Sequence, residues 1–206
     1  MKEILDKLKT RKIGVLSGGS SHEREISLRT GDAVYKALVS LGLNVTKIDV
    51  DRNIASRLAK ERVDVAFIAL HGKLGEDGTI QGLLEIMGIP YTGSGVLASA
   101  LALDKTYTKK VFHYHNLPMA KYKVIEKKVE TPGNILGELD YPVIVKPASE
   151  GSTIGVTMVR EPSGLDSAMS LAFGYGDRII IEKYIEGREL TVGILGDEAL
   201  PVIEIV

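Results

Sequence analysis

The chain has 206 residues, a net charge of −1 and no cysteine. That length suits one large domain or two modest ones, and the near-neutral balance gives no electrostatic reason to expect nucleic acid or an anionic membrane as partner. Without cysteine, disulfides and thiolate metal sites are excluded, while 44% hydrophobic residues are enough to build a core, which sets disorder aside.

The first residues, Met1 to Lys9, are charged throughout and lack the apolar run of a signal peptide. No later stretch approaches the roughly 18 apolar residues of a membrane span, so a soluble cytoplasmic α/β protein is expected. Lys12 to Ser17 is a short apolar run stopped by Gly18-Gly19, which predicts a buried strand entering a turn. Ser20 and Glu23 have the S-x-x-E spacing of a capping box, and Ile26 to Leu41 then carries apolar residues at helical spacing until Gly42. Asn44 to Val50 is rich in strand formers, Ile54 to Glu61 suits a helix, and Val63 to Leu70 predicts a second strong strand. Strands alternating with helices imply a parallel sheet covered on its faces, with ligands beyond the carboxyl ends of the strands. Both strong strands end in glycine-rich polar loops, at 18–23 and at 71–78, so these loops should lie side by side.

After Tyr91-Thr92-Gly93-Ser94-Gly95 the character changes. Val96 to about His115 predicts one long helix with Asp104-Lys105 partway along, closed by Asn116-Leu117-Pro118. His113 and His115 near its end suit the C-terminal dipole, and Lys109-Lys110 is expected on a solvated face. From Lys121 the chain is strand-rich, at 121–125, 141–146, 154–159, 178–181 and 189–195, and Ala199 to Val206 resembles an unfinished strand. A domain boundary is expected near Leu103, giving units at 1–103, 104–185 and 186–206.

Two segments suggest chemistry. Pro142 to Pro147 is a strand that delivers Lys146 to a loop of glycines and hydroxyls, Ala148-Ser149-Glu150-Gly151-Ser152-Thr153-Ile154-Gly155. Glycine lets backbone N–H groups approach phosphate oxygens, and an adjacent lysine supplies point charge. The segment fits a phosphate cradle or a plain hairpin with a salt-bridged lysine equally well. It is neither a Walker A loop nor a G-x-G-x-x-G fingerprint. Ile179 to Ile185, followed by Gly187-Arg188-Glu189, has the apolar wall and sparse polar groups of an adenine slot, although taken alone it fits an edge strand with alternating charge better.

Taken together, these segments resemble the D-alanine–D-alanine ligase family of the ATP-grasp superfamily. The resemblance is carried in order by residues 18–27, by 69–72 with 75–82, by 90–95, by 98–105, by the loop at 146–155 and by Ile181-Glu182-Lys183. It runs collinearly from about Lys12 to Val206 and implies an α/β fold. A Rossmann-like domain would precede an incomplete α+β ATP-grasp domain that holds nucleotide between two subdomains. The implied reaction phosphorylates the carboxylate of one D-alanine with ATP, and the amine of a second D-alanine attacks the acyl phosphate, for peptidoglycan synthesis.

Carried over by position, Lys105 and Lys146 are expected on the ATP phosphates, where the task is positioning and electrostatic. Ser149, Glu150, Gly151, Ser152 and Thr153 would form the lid over them. Glu182, Lys183 and Ile185 would line the adenine, and Glu189 would accept from the ribose hydroxyls. Glu23 would receive the ammonium of the first D-alanine, with Ser152 and His71 orienting substrate. Without the resemblance, Glu23 reads as the third residue of a capping box and His71 as a polar loop residue. Glu76 and Asp77 are expected to order their loop.

The family's Mg²⁺ ligands and the arginine that steadies the tetrahedral intermediate are expected beyond residue 206. The same holds for the loop bearing the tyrosine partner of Ser152. No metal site is assigned within the chain, and the 206 residues are expected to be inactive alone. A homodimer is expected from the family. The alternatives are another ATP-grasp carboxylate–amine ligase, or a non-catalytic nucleotide-binding or dimerisation module.

Overall fold

Burial of β1 (Lys12–Gly18) on both faces decides how the first half is layered. In the computed structural model, which describes residues 2–127, 135–151 and 153–206, β1 is the middle strand of a parallel sheet. Its neighbours are β2 (Asn44–Val50) and β3 (Val65–Ile68), in the order β2-β1-β3. Side chains alternate across a strand, so Leu16 joins Ile48, Val50, Val63 and Ala66 in one core. Val15 and Ser17 face the other way, against α2 (Arg24–Ser40) at Gly31. Leu58 of α3 (Ile54–Glu61) and Ile80 and Leu84 of α4 (Thr79–Ile86) close the first core. Helices therefore cover both faces, as right-handed crossovers require when the chain runs from β1 outward to β2 through α2 and then back across the sheet to β3 through α3. A further segment extends the sheet beyond β3, where Tyr91 bridges Ala66 in parallel sense. A charged helix, α1 (Lys2–Lys9), precedes β1.

The predicted helix from Val96 to His115 is two helices, α5 (Val96–Leu103) and α6 (Lys105–Tyr114). The break is at Asp104, whose extended backbone (φ −83°, ψ 98°) lets its carboxylate accept from the N–H groups of Thr106 at 2.9 Å and Tyr107 at 3.4 Å. Asp is a strong N-cap because it satisfies donors that a new helix leaves unpaired. The capping box predicted at Ser20 is absent. Glu23 itself occupies the N-cap of α2, and its side chain makes no cap hydrogen bond.

Beyond α6 lies an antiparallel sheet in the order β4-β7-β5-β6, formed by β4 (Tyr122–Glu126), β5 (Val143–Pro147), β6 (Thr157–Val159) and β7 (Arg178–Lys183). The register aligns Tyr122 and Ile144 with Glu182, and Lys146 with Ile180. Ile125, Val143, Val145, Ile179 and Ile181 point to the opposite face and pack with α7 (Leu165–Phe173). The face carrying Tyr122, Lys146, Ile180 and Glu182 is left for α6. The last residues form two small pairs, β8 (Glu189–Thr191) with β11 (Ile203–Ile205) and β9 (Ile194–Leu195) with β10 (Glu198–Ala199), all exposed. The strand expected over 189–195 is thus split. Among the described residues no helix is long and apolar enough to cross a membrane.

Gly31 measures how closely α2 lies on β1. A Cβ there would stand 2.5 Å from Ser17 Cβ and 2.7 Å from its Oγ. Alanine ordinarily favours a helix over glycine by about 1 kcal/mol, but the overlap costs about 1–3 kcal/mol. Gly31→Ala is expected to lower the melting temperature, read by circular dichroism; a rise would show that the helix has room to retreat.

Candidate active site

β1 is central and its crossover leaves on the face opposite that of α4, the arrangement in which open α/β sheets bind ligands beyond the carboxyl ends of their strands. Hydrogen bonds tie the loops after β1 and β3 together here. The Ser27 hydroxyl donates to Ala69 O at 2.8 Å and accepts from Gly18 N at 2.9 Å, and Ser21 Oγ donates to His71 O at 2.8 Å. The expectation that these two loops lie side by side is met.

Glu23 stands at the start of α2, facing the space between the loops after β3 and β5. It is 7% exposed, and its Oε2 has no hydrogen-bond partner among the described residues. A Cβ on Gly72 would lie 2.8 Å from that oxygen, and one on Gly151 only 2.4 Å. The carboxylate is therefore wedged between the loop after β3 and the loop after β5, at positions where only glycine leaves space. Burial raises its pKa, and the nearby carboxylates of Glu76 and Glu150 add to the effect against His71 and Lys105. A buried acceptor that nothing satisfies is costly, which marks a place for a donor, and a cation suits it best. His71 is held across the same opening. Its Nε2 shares a hydrogen bond with Thr30 Oγ1 at 3.1 Å, and its Nδ1 lies 3.6 Å from Glu76 Oε1. Glu76 and Asp77 order the loop as expected, accepting from Gly72 N at 2.8 Å and Leu74 N at 2.9 Å. Beside them a cleft of about 450 Å³ runs from His71 to Thr92 and Ser99.

The second part of the site is built where α6 meets the antiparallel sheet. Lys105 and Lys109 lie one turn apart on α6, so they share a helix face. Lys105 Nζ donates to Glu150 O, which ties the first turn of α6 to the loop after β5. Lys146, at the end of β5, donates to Glu182 Oε1, and Lys109 Nζ lies 2.8 Å from Glu182 Oε2. Two ammonium groups thus share one carboxylate, with the charge of Lys105 close enough to act on it. Burial pushes the Lys105 pKa down, and its neighbour Lys146 pushes it further, against the carboxylates of Glu150, Glu182 and Asp104. Burial would raise the Glu182 pKa, but hydrogen bonds from Lys109 and Lys146 outweigh it and hold the value below the usual glutamate range. Arg178 locks the helix start by donating to Asp104 Oδ2 at 2.6 Å.

Most sequence-derived residues gather here. Glu23, His71, Lys105, Lys146, Glu150, Gly151 and Glu182 converge on one region. Ser152 lies outside the described residues. Thr153 is exposed in the turn after β5, and Lys183, Ile185 and Glu189 are exposed on the far side of β7 or beyond it. Glu182 is taken up by two lysines in this arrangement. The expectation of a solvated Lys109-Lys110 is wrong for Lys109, which has only 11% of its side chain exposed and sits 4.7 Å from the Tyr122 ring centroid. Its spacing of four from Lys105 was the signal available in the sequence. His22, not singled out, lies 3.5 Å from Glu150 Oε2 and edge-on to the Tyr175 ring.

A Rossmann-like parallel sheet followed by an antiparallel sheet that presents lysines and a glycine loop is the architecture of an ATP-grasp protein. Two family models match the chain, the D-ala D-ala ligase N-terminus over residues 51–94 and the D-ala D-ala ligase C-terminus over residues 111–206. The D-alanine–D-alanine ligase of Geobacter sulfurreducens is 55% identical over 201 residues, covering 98% of this chain and 63% of its own length. That of Geotalea uraniireducens is 55% identical over 204 residues, covering 98% and 65%. The solved structure of the Bacillus anthracis ligase complexed with ATP matches with a TM-score of 0.84 at 35% identity, over 95% of this chain and 66% of that one. The chain belongs to the D-alanine–D-alanine ligase family, and it spans a little under two-thirds of the length of these curated relatives.

Two measurements test the electrostatics. Because the folded Glu23 pKa is raised, its contribution to stability is present below the unfolded value and is lost as pH rises through the folded one. Glu23→Gln is therefore expected to melt higher than the wild type at neutral pH, by on the order of 1 kcal/mol, with the gap closing in acid; equal melting at both pH values would contradict a desolvated carboxylate. The Lys105 pKa is lowered, and a bound polyphosphate would raise it, so binding takes up a proton in the interval between the two values. Calorimetry of ADP binding should show affinity falling as pH rises toward the ordinary lysine range of about 10.4, and Lys105→Gln should flatten that slope.

Proposed function

We propose that this chain provides the first-substrate site and the ATP-phosphate site of an enzyme that joins two D-alanines for peptidoglycan synthesis at the expense of ATP. The observation that carries the reading is the Glu23 carboxylate, buried and unsatisfied at Oε2 between two glycines. An amino-acid ammonium would supply the missing charge-assisted hydrogen bonds. The reading is supported further by the lysines gathered one loop away, since a polyphosphate needs cations that are already in position.

In this reading Glu23 fixes the first D-alanine by its ammonium. The substrate carboxylate then faces the loop at 148–155, with His71 and Ser152 orienting it. Lys105 and Lys146 draw negative charge from the phosphoryl group in flight, and the loop from Ser149 to Thr153 excludes water. Lys183, Ile185 and Glu189 are assigned to the adenosine, together with Glu182. Mg²⁺ would supply charge neutralisation between the phosphates, but no cluster of three or more His, Cys, Asp or Glu occurs among the described residues. They do not fit a metal site, and no step is assigned to the ion. A cytoplasmic homodimer is part of the proposal. The exposed Ile86 and Leu97, on α4 and α5, offer apolar surface for self-association.

D-alanine-dependent phosphate release from ATP is the test. The 206 residues alone are expected to give negligible turnover, since the described residues gather no cluster suited to the metal that the reaction uses. A chimera with the C-terminal third of the Geobacter sulfurreducens ligase should turn over, and Glu23→Gln in that chimera should raise the Michaelis constant for the first D-alanine by roughly 10–100-fold. Turnover unchanged by Glu23→Gln would remove the ammonium role.

A further inference from the structure

Lys146 has two claims on it. In the proposed function it meets a phosphate, whereas in the structure it donates to Glu182 Oε1. Glu182 has only 13% of its side chain exposed, so a lysine that left it for a phosphate would abandon a desolvated carboxylate. Breaking a buried ion pair by removing one partner is strongly unfavourable because the remaining charge is uncompensated. Lys109 changes that balance. Its ammonium lies 2.8 Å from the other oxygen, Glu182 Oε2, and its charge faces the Tyr122 ring at 4.7 Å. Register explains why these groups meet. Glu182 is on the central strand β7, Tyr122 is its partner on β4, and Lys146 lies two residues along β5 from its partner Ile144. All three are on the sheet face that receives α6, and Lys109 comes from α6 one turn after Lys105.

We propose that Lys109 is a positioning residue of the phosphate site, which keeps Glu182 paired while Lys146 exchanges that carboxylate for phosphate oxygens. The ring face and the carboxylate hold Lys109 from two directions, so it stays where it is. Lys146 is the partner that moves in this scheme: it lies near the end of β5, just before the glycine loop, and its charge already acts on Lys105. Two cations on one carboxylate make the transfer nearly neutral in charge compensation. One cation would make each phosphate contact compete with the Lys146–Glu182 pair. Lys109 touches no substrate in this scheme and acts only through Glu182 and Lys146.

The inference rests on the phosphate-site reading of Lys146, and its test is made on the 206-residue chain with two probes, inorganic tripolyphosphate and ADP. Tripolyphosphate has no adenine, so it reports on the lysines alone. Lys109→Met is expected to weaken tripolyphosphate binding by roughly 10–100-fold, while Lys109→Arg stays within about threefold of wild type. In a Glu182→Gln background no carboxylate is left to strand, and Lys109→Met should then have an effect of about threefold or less. Lys110→Met is the control, since Lys110 stands over the Tyr107 ring at 4.8 Å away from this cluster. Lys109→Gln replaces Lys109→Met should the latter not fold, as judged by circular dichroism. Equal loss in the wild-type and Glu182→Gln backgrounds would overturn the inference, as would unchanged binding by Lys109→Met. Failure of the wild type to bind tripolyphosphate would overturn it too. Tripolyphosphate binding that follows the expected cycle, with no D-alanine-dependent phosphate release from the chimera, would leave Lys109 in this role and remove the proposed ligase function instead.

Discussion

A parallel strand returns to its sheet through a right-handed crossover, and with β1 in the middle that rule sends α2 and α4 to opposite faces. The loops after β1 and β3 therefore lead into helices on opposite faces, the place where open α/β sheets bind their ligands. The first half of the site follows from this. Glu23 is there because α2 begins there, and His71 is there because β3 ends there. Ser27 and Ser21 carry the hydrogen bonds that keep the two loops from closing on each other or drifting apart.

The second half depends on charge rather than topology. Lys109 and Lys146 share Glu182, and Lys105 stands beside them on the Glu150 carbonyl, so these three lysines outnumber the carboxylates of Glu182 and Glu150 before any ligand is considered. Such an arrangement is expensive for the fold, as the lowered Lys105 value indicates. Anions relieve that cost, and a preorganised cluster needs no rearrangement of solvent when charge shifts. Stability given up at a site in this way is common where electrostatics serve chemistry.

The two halves meet through backbone with no side chain. Gly72 and Gly151 approach the same carboxylate oxygen from opposite sides, one from each sheet. His22 adds a contact from the β1 loop to Glu150, and Tyr175 packs against both His22 and Gly155. The loop after β5 is thereby in touch with the first substrate's proposed binding group and with the lysines at once.

Much was legible in the sequence because it is local. Apolar runs and helical spacing gave β1, α2, β2 and α3 close to their observed bounds, and the glycine loops marked the strand ends. The motif series pointed to Glu23, His71, Lys105 and Lys146, which the fold brings into one region. What the pattern missed has physical reasons. Asp104 interrupts an otherwise helical run because its carboxylate captures two N–H groups, a choice that Arg178 reinforces from 74 residues away. Ser20 and Glu23 have capping-box spacing, yet Glu23 turns inward, since its surroundings are set by Gly72 and Gly151. Lys109 looks solvated in one dimension and is buried in three, because strand register carries Glu182 and Tyr122 to the face that α6 covers. Residue types and their order determined which chemistry the chain could offer. Only the tertiary structure decided which charges share a carboxylate, because ion pairing depends on distances that the spacing along the chain does not fix.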